Sequence, residues 1–111
     1  MKLSSSVVGN GVTAIVCHVE NLDASNVKSF KEAIQPLLKD QNRVVLNMAE
    51  VKFVDSSGLG ALISALRDVN SREGNLKLCA LTRSVRALFE LMRMNRIFTI
   101  YESQDEAVGS F

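Results

Sequence analysis

The feature that most constrains this chain is an alternation of two periodicities. Short apolar runs of strand length take turns with segments whose apolar residues recur at helical spacing. Leu3 to Val8 is a weak, serine-rich run of the kind an edge strand tolerates. Gly9-Asn10-Gly11 is a turn signal, and Val12 to Val19 is β-branched and apolar on both faces, which suits a central strand. Val27, Phe30, Ile34, Leu37 and Leu38 then mark a first helix, with Lys28, Lys31, Glu32, Lys39 and Asp40 on its other positions. Asp23 is placed to cap it by accepting bonds from free amides. Pro36 is expected to kink or shorten its last turns.

Arg43 to Met48 reads as a buried strand around Val44-Val45-Leu46, and Val51 to Val54 leads out of it toward a second helix. Leu59, Leu62, Ile63, Leu66 and Val69 form that helix's apolar stripe, and Ala61 and Ala65 give it a slim second face. Glu73-Gly74-Asn75 turns the chain into a strand from Leu76 to Leu81. Thr82 or Ser84 opens a third helix, with Val85, Leu88, Phe89 and Met92 inward. Ile97 to Tyr101 is the last strand, and Ser103 to Val108 is a short terminal helix capped by Ser103. The order is β-β-α-β-α-β-α-β-α, an α/β chain whose crossovers favour a mostly parallel sheet of about five strands. Residues 1–111 fit one domain, with no repeat, low-complexity tract or Pro/Gly-rich linker to divide them.

Composition serves mainly to exclude. Thirteen basic side chains face twelve acidic ones, for a net charge of +1. Nucleic acid needs a concentrated basic face, so it is not the expected partner, and no electrostatic case exists for a membrane surface. No apolar stretch approaches the roughly 18–20 residues of a membrane span, and Met1 to Ser6 lacks a signal peptide's apolar run. A cytoplasmic protein is expected. Cys17 and Cys79 sit inside apolar segments without CxxC spacing, so both should be reduced and buried. His18, the only histidine, lies in a strand-like run among apolar residues. Two thiols and one imidazole make no convincing zinc set, so no metal and no cofactor is expected.

Asp55-Ser56-Ser57-Gly58-Leu59-Gly60 follows an apolar strand and opens the second helix. Small residues let the backbone turn tightly, and Gly58 and Gly60 keep the surface low. Ser56 or Ser57 can cap the helix. Free amides and the positive end of the helix dipole make such a start tolerant of a phosphoryl group. The plainer reading is an ordinary cap with a tight turn. Catalytic alternatives fail on the residues. There is no GxxxxGK[ST], Ile63 stands where a third dinucleotide-loop glycine would be, and GxSxG is absent. A catalytic serine would also need a base, and His18 is the single candidate. The chain is therefore not expected to be an enzyme.

Val44-Val45-Leu46-Asn47-Met48 followed by Val51-Lys52-Phe53-Val54-Asp55-Ser56-Ser57-Gly58-Leu59-Gly60-Ala61-Leu62 resembles the signature of STAS domains, specifically bacterial anti-sigma factor antagonists. Leu22-Asp23-Ala24, Gly74-Asn75-Leu76-Lys77-Leu78, Val85 to Leu91, Ile97-Phe98 and Tyr101 to Ala107 resemble that family in the same order. The resemblance implies a single STAS-type domain with helices packed mainly on one face of the sheet. It also implies a partner-exchange switch. The unphosphorylated protein would bind an anti-sigma factor, a serine kinase with a histidine-kinase-like ATPase fold, and so release the sigma factor. Phosphorylation of Ser56 would end the complex, and a PP2C-type phosphatase would reset it. Asp23 and Asp55 match acidic positions beside the phosphosite, and Ser57, Gly58, Leu59 and Gly60 complete the partner-binding segment. A monomer is the default. The competing expectation is a STAS module that docks in a transport or signalling complex without phosphorylation.

Two departures from the family pattern stand out. Glu20-Asn21-Leu22-Asp23 replaces a usual Gly-Glu-Leu-Asp, which bears on partner choice. Met92-Arg93-Met94-Asn95 replaces a usual Thr-Gly-Leu run, so the third helix is expected to run longer or to end on Asn95.

Overall fold

A computed structural model describes all residues, 1–111. The strands are β1 (Leu3–Val7), β2 (Thr13–Cys17), β3 (Asn21–Leu22), β4 (Arg43–Asn47), β5 (Phe53–Val54), β6 (Asn75–Cys79) and β7 (Ile100–Tyr101). The helices are α1 (Val27–Leu38), α2 (Ser56–Asn70), α3 (Arg83–Leu91) and α4 (Gln104–Gly109). Five strands form one sheet in the order β1-β2-β4-β6-β7. β1 runs antiparallel to β2, and the remaining neighbours are parallel. The serine-rich β1 sits on the edge and the apolar β2 inside, as their side chains require. The expected turn between them is a short 3-10 segment, Gly9–Gly11, with Asn10 left-handed at φ 62°.

Strand alternation divides the sheet into two unequal faces. Val44, Leu46, Leu76 and Leu78 point toward α1, α2 and α3 and enter one continuous core. There they meet Phe30, Ile34 and Leu38, spaced four apart along α1, and Leu59, Leu62, Leu66 and Val69 of α2. Val85 and Phe89 close that core from α3, with the Phe89 and Phe98 rings 6.1 Å apart. Each large side chain so buried contributes about 1.5–3 kcal/mol. The opposite face is small: Val12, Val45, Cys79 and Ala107 under the single helix α4. Three helices on one face and one on the other is the arrangement the resemblance implied. No helix is long and apolar enough to cross a membrane.

Lys77 lies on the small face and is only 9 % exposed. Its Nζ donates to the Ser110 carbonyl at 3.2 Å and to Ser110 Oγ at 2.7 Å, and lies 4.1 Å from the Phe111 ring centroid. A buried ammonium is tolerated only when so partnered. Both cysteines are free and buried, and burial pushes Cys17 up to about 12 and Cys79 to about 11.

Four local expectations change. Pro36 does not shorten α1, which continues to Leu38. The amide it lacks would have bonded the carbonyl of Glu32, an exposed residue on the outer side of the helix, so no buried group is orphaned. The end of α3 differs more. The helix stops at Leu91, Arg93 adopts the left-handed conformation at φ 57°, and a 3-10 turn spans Met94–Arg96. Met92 is therefore 47 % exposed rather than inward. The last strand shrinks to Ile100–Tyr101, because that turn consumes the residues before it. Finally, His18 is exposed. It lies just past β2, with Ser4 Oγ 2.8 Å from Nε2 and Glu50 Oε2 2.8 Å from Nδ1. Period-2 alternation turns its side chain outward at the end of a strand that is otherwise inward.

Candidate functional site

The site forms where the main sheet hands the chain to two helices. β3 and β5 make a separate parallel ladder, pairing Asn21 with Phe53 and Leu22 with Val54. The Asp55 amide then donates to the Leu22 carbonyl at 3.2 Å. The loops entering α1 and α2 thus leave the ladder side by side, and each begins with an aspartate, Asp23 and Asp55. Two-residue strands are too short to show alternation, so this ladder was not legible beforehand.

Asp55 caps α2, in place of the expected Ser56 or Ser57. One carboxylate oxygen accepts from the Gly58 amide at 2.9 Å, and the other accepts from the Ala24 amide at 3.1 Å. A hydroxyl has one oxygen and serves one loop; a carboxylate has two and ties both loops together. Ser56 and Ser57 become the first helical residues. Ser56 is exposed, and its hydroxyl takes part in none of the bonds that order the site. Ser57 is half-buried.

Gly58 explains how the helix comes so near the ladder. A Cβ on it would lie 2.2 Å from the Leu22 carbonyl oxygen and 3.0 Å from Val54 Cγ1. Only a residue without a Cβ permits that approach. Gly60 is the opposite case: exposed, with nothing within 4 Å of where a Cβ would stand. It lies one turn beyond Ser56 and keeps the surface beside the hydroxyl low. Leu59, expected among the partner-facing residues, is only 5 % exposed and belongs to the core, so it holds the site from beneath.

Asp23 does not cap α1. The helix begins at Val27, after a turn in which the Asp23 carbonyl accepts from the Asn26 and Val27 amides. The Asp23 carboxylate instead accepts from the Ser25 hydroxyl at 2.5 Å, the Ser25 amide at 2.9 Å and Asn21 Nδ2 at 2.9 Å. These bonds, led by the Ser25 hydroxyl, hold its pKa below the ordinary 3.8. Asn21 stands where the family pattern has an acid. Its amide can donate to Asp23, which a second carboxylate would repel.

One surface residue escaped the sequence reading. Phe53 is 55 % exposed, directly ahead of the site on β5. Val51 to Val54 reads as one apolar run, yet Val51 and Val54 turn inward and Phe53 outward. An exposed aromatic between two buried valines is the signal that could have found it. Lys52 beside it pairs with Glu20 at 3.5 Å on the surface. His18 lies apart from Ser56, partnered by Ser4 and Glu50 as described, and the larger cavities do not include it.

Comparison with known proteins places this arrangement. The family model of the STAS domain matches residues 5–107. A protein of Bordetella bronchiseptica named as a candidate anti-sigma factor antagonist, BtrV, is 27 % identical over 112 residues, covering all of this chain and 95 % of its own. The anti-sigma-B factor antagonist of Staphylococcus aureus is 25 % identical over 85 residues, covering 76 % of this chain and 79 % of that one. Among solved structures, an anti-sigma-factor antagonist (STAS) domain protein of Planctomyces limnophilus superposes with a TM-score of 0.87 at 17 % identity, covering 97 % of this chain and 96 % of its own. With the family model spanning nearly the whole fold and its central segment building the site just described, the chain belongs to the STAS domain family.

Proposed function

We propose that this protein is an anti-sigma factor antagonist whose binding is switched off by phosphorylation of Ser56. The observation that carries the reading is an exposed, unengaged hydroxyl on the first residue of a helix whose cap is supplied by a different side chain. Because Asp55 does the capping, Ser56 can change its chemistry without releasing the helix. The names of the curated relatives support the antagonist role. The partner is an anti-sigma factor with serine kinase activity, and a phosphatase restores the free serine.

The electrostatics agree. A phosphoserine adds about −1.5 to −2 charges near neutral pH, which takes the chain from +1 to roughly −1. The new charge sits against Asp55 and near Asp23. The helix start offsets only about 0.3–1 kcal/mol. The fold survives, since the core lies beneath the site. A partner surface built for a neutral hydroxyl instead meets a buried, unpaired charge, at a penalty on the order of several kcal/mol. Each 1.4 kcal/mol is about tenfold in affinity. Ser57, Gly60 and Phe53 frame the contact, with Gly58 and Leu59 supporting it from below.

The test is direct. Incubation with ATP and the kinase encoded nearby should add one phosphate to the intact mass, and peptide mapping should locate it on Ser56. Ser56→Ala should hold the kinase constantly and Ser56→Asp should bind weakly. Equal binding by both variants, or an unmodified Ser56, leaves a docking module without phosphorylation as the reading.

A further inference from the structure

The end of α3 departs from the rest of the surface in two independent ways, and its backbone adds a third observation. Leu91, Met92 and Ile97 are 79 %, 47 % and 47 % exposed, half of the six large apolar side chains the molecule leaves open. Arg83 to Ile97 carries four arginines against one glutamate, whereas the whole chain is only +1. The three ion pairs of the molecule involve other residues, so these guanidinium groups have no acidic partner. Beside Ile97 opens a cavity of about 410 Å³, whose lining includes Arg86 and Arg96 against the single acid Glu90, together with the apolar Phe89, Phe98 and Ile100.

The third observation concerns Arg93. It is left-handed at φ 57°, at the position directly after Met92, the residue that caps the end of α3. That position favours glycine, because a Cβ is strained there. It is also where the family pattern has the glycine of its Thr-Gly-Leu run. An arginine here costs stability relative to glycine; Asn10, Asp40, Glu73 and Ala80 are left-handed too, so it is the charge and exposure of Arg93, not its backbone, that bear on binding.

We propose that this corner, α3's C-terminal turn with the 3-10 segment after it, is a docking surface for an acidic, amphipathic segment of a second partner protein. The charge balance selects the occupant. Carboxylates on the segment pair with Arg86, Arg93 and Arg96. Its apolar side chains cover Leu91, Met92 and Ile97, and one enters the cavity. Arginine suits such pairing, since its fork meets a carboxylate with two parallel bonds. An apolar patch with a charged rim is the usual anatomy of a protein contact. None of the residues of this corner takes part in the bonds that order the α2 start, so it adds a partner without depending on Ser56.

The probe is a short fluorescein-labelled peptide with glutamates on one face of an amphipathic pattern and leucines and phenylalanines on the other. Its control replaces every glutamate by glutamine, and a second arm offers phosphatidylglycerol vesicles. Anisotropy should show saturable binding of the acidic peptide that weakens as salt rises. Amide chemical-shift changes should map to residues 86–100 and leave the α2 start unmoved. Arg86→Glu with Arg96→Glu should weaken binding by about tenfold or more. Leu91→Asp should weaken it too, and Ser56→Asp should not. Arg93→Gly should raise Tm while weakening the peptide, which separates lost contact from lost fold. The proposal is overturned if the glutamine peptide binds equally, if the shifts appear elsewhere, if the arginine variants bind unchanged, or if only the vesicles bind.

Discussion

The start of α2 and the end of α3 are both places where a helix meets a loop, and the chain treats them in opposite ways. At the start of α2 the backbone is relieved. A carboxylate caps the helix, a glycine removes the one side chain that would collide, and each loop is bonded to its neighbour. At the end of α3 the backbone is loaded. An arginine occupies a left-handed position, and apolar side chains are left in water. The difference teaches that local stability marks what must hold still. The α2 start holds fixed geometry around the exposed Ser56 hydroxyl, whereas the α3 end exposes apolar and basic side chains on a strained backbone.

The comparison can be broken first at Gly58. Gly58→Ala drives a Cβ into the Leu22 carbonyl, and backbone cannot step aside as a side chain does. It should destabilise the protein by about 3 kcal/mol, read by urea denaturation. A loss under about 1 kcal/mol would mean that α2 can slide off the β3–β5 ladder. Next comes Asp55→Ala, which removes the cap and the tie to Ala24 together. About 1–2 kcal/mol should be lost, and Asp55→Asn should recover part of it by keeping an acceptor.

Smaller effects should run the other way. Gly60→Ala places a methyl in open space on an exposed helix and should stabilise by about 0.5–1 kcal/mol. The same change should weaken the kinase, because it raises the surface beside Ser56. Arg93→Gly should stabilise by a similar amount, about 0.4–1 kcal/mol, by relieving the left-handed position. If Arg93→Gly instead destabilises, the α3 end is not strained and the contrast between the two regions fails.

The smallest effect is acidic. Asp23's folded pKa lies below its ordinary value, so its contribution is present above about pH 3.8 and fades as pH falls through the folded value. Asp23→Asn should lower Tm near neutrality and match the unsubstituted protein at acid pH, where the carboxylate is protonated in both states, as thermal melts across that range would show. A loss that stays equal from neutral to acid pH would mean the side chain matters for shape rather than charge.

Much of this was legible in the residues. The five-strand sheet, the serine-rich edge, the inner faces of α1 and α2 and the Ser103 cap follow from periodicity and capping chemistry, which act over a few neighbours. The Asp-Ser-Ser-Gly run marked the start of α2. The choice of Asp55 over the serines as the cap was not legible, because it depends on Ala24 arriving from another loop. Phe53 was missed because its outward turn is imposed by a ladder of two residues. Arg93 was the hardest, since no local rule places an arginine in a left-handed position.

The amino-acid order alone determined the strands of the main sheet and the four helices to within a few residues, the buried faces of α1 and α2, and where a serine opens a helix. Those outcomes rest on local sterics and on removing apolar side chains from water. Tertiary contact alone decided that α2 packs onto the β3–β5 ladder, that one aspartate bridges two loops, and that an arginine-rich apolar corner stays uncovered. These depend on groups far apart in the chain, whose meeting no short window of sequence encodes.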